Sequence, residues 1–111
     1  MSTTQRFAFV VDVVPERREE YIRLHAHVWP QVEALLSAHH VTNYSIFLLE
    51  DTLFGYYEYT GDDHAADLAA VDADPVTREW LALTDPCQTP FGRTATPADG
   101  WRRLEELWHL P

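Results

Sequence analysis

Tyr21 and His25 stand four residues apart in the run Glu20-Tyr21-Ile22-Arg23-Leu24-His25-Ala26-His27-Val28-Trp29-Pro30. On a helix that spacing places a phenol and an imidazole one above the other on the same face. An imidazole exchanges protons near neutrality, and a phenol bonds hydroxyl groups, so the pair suits acid-base work on a small polar ligand. Trp29, Tyr44 and Trp80 add rings of the kind that stack on the C–H faces of a sugar. Plainer roles are equally open. A Tyr or His on a half-apolar face is commonly a boundary residue bonded locally, and a helical Trp is commonly core.

Other chemistries find less support. The chain has six histidines, yet none are spaced as HxxxH or HExxH. His25 and His27 face different ways on a helix, while His64 and His109 are isolated, so no metal site is expected. Gly55, Gly61, Gly92 and Gly100 form no phosphate-cradling pattern. Cys87 is the sole cysteine, which excludes an internal disulfide, and it has no nearby candidate base. Ser37 and Ser45 lack an elbow motif, so covalent catalysis is not indicated.

The chain has 111 residues, 46% hydrophobic and 13% aromatic, enough for one folded domain spanning residues 1–111. Its formal charge is −10, with a pI near 4.8. That balance argues against nucleic acid and against an anionic membrane surface, and favours a neutral or cationic ligand. Residues 1–6 lack the apolar centre of a signal peptide, and no apolar run is long enough to span a bilayer. A cytoplasmic protein is expected.

These side chains need elements to hold them. Residues 7–14 read as a strand apolar on both faces, with Asp12 its one charge. Pro15 opens a helix whose apolar stripe is expected at Ile22, Leu24 and Val28. Trp29-Pro30 breaks it, and Pro30 starts a second helix with Val32, Leu35 and Leu36 on its apolar face. That helix fades at His39-His40. Residues 41–49 and 53–60 read as an antiparallel hairpin, with Tyr44, Ile46 and Leu48 on one face of the first strand. Asp63 and Asp74-Pro75 mark two further helix starts. Ala65, Leu68, Ala69 and Val71 line the first of these helices, and Val76, Trp80 and Leu83 the second. Pro86, Pro90, Gly92, Pro97 and Gly100 punctuate an irregular segment, and residues 104–110 are expected to close the sheet as a last strand. The order is strand, helix, strand, strand, helix, strand. That is an α+β chain of the ferredoxin-like split βαβ type, with an antiparallel sheet and helices on one face. The other face is aromatic and partly polar and needs a cover, so a homodimer is expected.

Several stretches together are similar to the L-rhamnose mutarotase family. They are Ala8-Phe9-Val10, the run from Glu20 through His25 into Trp29-Pro30, Asn43-Tyr44-Ser45-Ile46, Trp80 through Thr84-Asp85, and the closing Leu110-Pro111. The resemblance covers nearly the whole length. It implies a dimeric α/β-barrel-type protein that interconverts the anomers of a free monosaccharide without a cofactor. It further implies that His25 is the proton donor, giving its proton to the ring oxygen. Tyr21 then orients His25 or bonds the sugar, and Tyr44 and a tryptophan pair after the second helical region bind the sugar. That pair is Glu79-Trp80 here. A Glu79 carboxylate turned into the pocket would suit a more hydroxylated sugar than the 6-deoxy one, and one turned to solvent would leave the preference unchanged.

The fold admits competing readings. They are a cofactor-free monooxygenase with a flat aromatic substrate, a non-catalytic sugar-binding module, and an interaction domain whose aromatics all belong to an interface.

Overall fold

The structure, a computed structural model, describes residues 4–92 and 100–111. Residues 1–3, and residues 93–99 with Pro97 of the irregular segment, lie outside the described residues. β1 (Gln5–Val13) is followed by a 3₁₀ turn at Pro15–Arg17, α1 (Arg18–Ala26) and α2 (Pro30–Ala38). β2 (Val41–Leu49) and β3 (Thr52–Tyr59) form the hairpin, and α3 (His64–Ala73) and α4 (Pro75–Thr84) follow. Two short strands, β4 (Gln88–Thr89) and β5 (Arg102–Arg103), complete the described chain. The sheet order is β2-β3-β1-β4, antiparallel throughout, with β5 pairing farther along the same edge of β1. This is the order the split βαβ arrangement requires. No helix among the described residues is long and apolar enough to cross a membrane.

Local chemistry explains the helix boundaries. Pro30 and Pro75 each occupy the first turn, where the missing N–H is not needed. Asp63 and Asp74 cap α3 and α4 by accepting from the Ala66 and Val76 amides. The core lies between sheet and helices, with Val11, Val13, Tyr21, Leu53 and Cys87 in one cluster. Phe7, Val41, Tyr57 and Tyr59 make a second.

Alternation along β2 is interrupted. Thr42 pairs with Glu58 and Ser45 with Tyr56, so two residues of β2 oppose one of β3. Asn43 takes the positive φ (50°) of this bulge, which asparagine tolerates, and its amide bonds Glu58 at 2.9 Å. The consequence is that Val41 and Tyr44 both face the helices.

Four expectations are corrected. Ile22 is exposed, and the buried residue of α1 is Tyr21. Ala65 and Ala69 are exposed as well, leaving Val71 as the buried residue of α3. On α4 the buried face is Thr77, Trp80 and Thr84, and Leu83 is exposed. Residues 104–110 form no strand: β1 bonds the Leu104 amide through the Ala8 carbonyl, and beyond it the tail is tied to β1 through side chains, Arg6 pairing with Glu106 at 2.7 Å. The edge position falls instead to β4 and β5.

Candidate active site

A cavity of about 610 Å³ opens between the helices and the inner face of the sheet, within the range of small-molecule sites. Tyr21 and His25 of α1, Tyr44 of β2 and Trp80 of α4 all line it. The His25 ring stacks on Tyr21 with centroids 4.1 Å apart and meets the edge of Trp80 at 5.5 Å.

The protonation geometry of His25 follows from its partner. Its Nδ1 lies 2.9 Å from the Tyr21 carbonyl, one helical turn back. A carbonyl only accepts, so Nδ1 carries the proton and Nε2 is left as the free nitrogen. Burial holds the imidazole below its ordinary pKa of 6.5, against the opposing pull of that hydrogen bond. Near neutrality the ring is therefore neutral, with a lone pair on Nε2.

The tyrosines differ. Tyr21 is buried, and desolvation pushes its hydroxyl up to about 12, so it stays protonated. Tyr44 is 46% exposed as a whole residue, yet burial raises its hydroxyl too, because that end lies among protein atoms. Its ring tilts against Tyr57 at 5.3 Å. The Tyr57 hydroxyl is already engaged, 2.6 Å from His64 Nε2. Thr77 is buried on the cavity wall, and its hydroxyl has no hydrogen-bond partner among the described residues.

Two expected site residues stand elsewhere. Trp29 does not line the cavity and packs behind Trp80, with centroids 5.3 Å apart. Glu79 is exposed on the outer side of α4 and does not reach the cavity. One residue is a rotation of about 100° on a helix, so burying Trp80 turns its neighbour outward. Cys87 is fully buried, and burial raises its thiol, which leaves it a poor nucleophile. Sequence reasoning missed Thr77, Gln88 and Trp101, all of which line the cavity. Gln88 and Trp101 sit in the irregular segment, where no period points to a partner.

Fold and cleft together define a small α+β domain of the ferredoxin-like, dimeric α/β-barrel type, with an aromatic pocket built around one histidine. Solved structures share that fold. An L-rhamnose mutarotase from Formosa agariphila superposes with a TM-score of 0.72 at 23% identity, covering 96% of this chain and 99% of that one. A type-II polyketide cyclase from Streptomyces glaucescens gives 0.67 at 18%, with the same coverage. The sequence comparisons are more specific. The family described as L-rhamnose mutarotase matches residues 6–110. L-rhamnose mutarotases of Shigella flexneri and Escherichia coli are 34% and 33% identical over 108 residues, 96% of this chain and 98% of each relative. The chain belongs to the L-rhamnose mutarotase family.

Proposed function

We propose that this chain interconverts the α and β anomers of L-rhamnose, or of a closely related free sugar, with His25 relaying the proton. The observation that carries the mechanism is the fixed tautomer of His25 at the cavity. Its Nε2 takes the proton from the anomeric hydroxyl as the bond between the anomeric carbon and the ring oxygen breaks. The same nitrogen then returns that proton to the ring oxygen. One O–H and one C–O bond are lost, and a carbonyl and a new O–H are formed. The aldehyde turns about its bond to the next carbon, and the steps reverse on the other face. Such a relay needs no cofactor. Tyr21 and Tyr44 present hydroxyls to the sugar, and Trp80 offers a ring to its C–H face. Glu79, on the solvent side, leaves the preference for a 6-deoxy sugar in place. Saturation-transfer NMR on a panel of free sugars tests the reading, and no acceleration for rhamnose or its relatives would sink it.

The pH dependence has a definite sign. Protonated His25 has hydrogens on both nitrogens and cannot accept another. Activity is thus present above its lowered pKa and lost as pH falls through it. The pH profile of kcat/KM is expected to show an acid limb with its midpoint below 6.5, the ordinary histidine value. A profile rising toward acid would contradict the relay.

The outer sheet face and the extended tail support a homodimer. Phe47 and Leu49 are 61% and 66% exposed, and Leu107 and Trp108 are 88% and 77% exposed. Exposed side chains of this size on the outer face of β2 and on the tail are surface that a second copy would cover. Light scattering is expected to give a dimer, and Leu107→Ser with Trp108→Ser to shift it toward monomer. A wild-type monomer would refute the pairing. The single free thiol fits a cytoplasmic enzyme.

A further inference from the structure

We infer that Trp101 and Gln88 are positioning residues that act through Tyr21, fixing its hydroxyl as a donor toward the sugar. The inference rests on the mutarotase reading and concerns two residues from the segment that carries no helical or strand period. The indole Nε1 of Trp101 lies 3.1 Å from Gln88 Oε1. An indole nitrogen only donates, so this contact fixes which end of the carboxamide faces it. The amide nitrogen must then point away, and it lies 3.4 Å from the Tyr21 hydroxyl oxygen. An amide N–H also only donates, so the Tyr21 oxygen accepts. The Tyr21 proton is left for another acceptor, and no other group among the described residues bonds that hydroxyl. The cavity lies in front of it, and a sugar oxygen there would receive the proton.

The backbone makes this arrangement stiff. Gln88 belongs to β4 and pairs with Val13, and Trp101 immediately precedes β5, which pairs with Phe9 and Val10. Both residues are therefore held by one edge of β1. The indole rests on the sheet at Gly55, where a Cβ would come within 3.4 Å of its ring. Trp101 also lines the cavity itself. It thus supplies an aromatic wall to a site whose residue 79 is a carboxylate turned outward.

The test compares Gln88→Leu, Trp101→Phe and the double variant by saturation transfer on L-rhamnose. Trp101→Phe keeps a ring over Gly55 and removes only the N–H. Each single substitution is expected to lower kcat roughly three- to tenfold, the scale of one neutral hydrogen bond, with KM changing less than about twofold. The double variant should be no slower than Gln88→Leu, because the indole proton acts only through the amide. In a Tyr21→Phe background, Gln88→Leu should cost nothing further. Losses that add, or that fall on KM and thermal stability alone, mean a packing role and overturn the inference. A readout independent of turnover is the Trp101 indole proton, which should move upfield and exchange faster in Gln88→Leu. An unchanged signal shows that the bond is absent and also overturns it. Wild-type protein with no anomer exchange defeats the mutarotase reading, and this role falls with it. Active wild type with neutral variants defeats the role alone.

Discussion

Replacing His25 by alanine is expected to remove about 10²–10⁴-fold of anomer-exchange rate, the usual worth of a positioned acid-base group. Neither the neighbouring phenol nor His64 can take over the relay. The carboxylates that also line the cavity, Glu33, Asp72 and Asp85, lack the ring contacts that hold His25 against Tyr21 and Trp80. The Tyr21 hydroxyl, near 12, is too weak an acid to be ionised at neutrality and too weak a base to hold a proton. His64, an imidazole on this side of the sheet, is bonded to Tyr57 and stacked on Phe7 at 4.0 Å. The His25 side chain is only partly buried, so its loss should leave the fold intact. His25→Gln refines the comparison, since an amide can bond the sugar but cannot cycle a proton. Both variants should bind the sugar and exchange it at close to the solvent rate. Full activity in His25→Ala would refute the assignment outright. Binding without exchange in the wild type would select the non-catalytic reading.

The order of elements was legible because β1, β2 and β3 carry clear alternation and because Pro15, Pro30 and Pro75 mark helix starts. The pairing of Tyr21 with His25 was legible for the same reason, since a four-residue spacing has one meaning on a helix. The stripe on α1 was misjudged because its inward side faces a cavity. Tyr21 and His25 fill that side, and Ile22 is turned out. Hydropathy reports what is dry, and a ligand site is not dry. Asn43 shows a second limit. A bulge carries no strong local signal, yet it alone puts Val41 and Tyr44 on the same face. Gln88 lies 67 residues from Tyr21, and their contact arises only when the chain returns to the edge of β1. Nothing periodic encodes such a return. The alternation in residues 104–110 misled in the opposite direction, because after the Leu104 amide the contact with β1 passes to side chains, Arg6 with Glu106, and no backbone ladder forms.

Trp80→Ala should be the most destabilising single change among the cavity residues, because this ring belongs to the core and to the site at once. It is 6% exposed, and it packs edge-on against Trp29 at 65° and His25 at 69°. Truncating a buried Trp costs about 3–5 kcal/mol, the lost transfer energy plus the cavity left behind. Small domains are held by only about 5–15 kcal/mol, so the variant should be folded but marginal. Urea unfolding at fixed pH measures this as a lower midpoint with an unchanged slope. Trp80→Phe separates the two roles, since it keeps a ring against His25 and fills much of the space. It is expected to recover most of the stability while leaving KM raised several-fold, because a smaller ring covers less of the sugar's C–H face. If instead Trp80→Ala loses less than about 1 kcal/mol, the ring is not part of the core. If Trp80→Phe binds sugar as the wild type does, the wall is supplied elsewhere, and Trp101 across the cavity becomes the ring on which the sugar stacks.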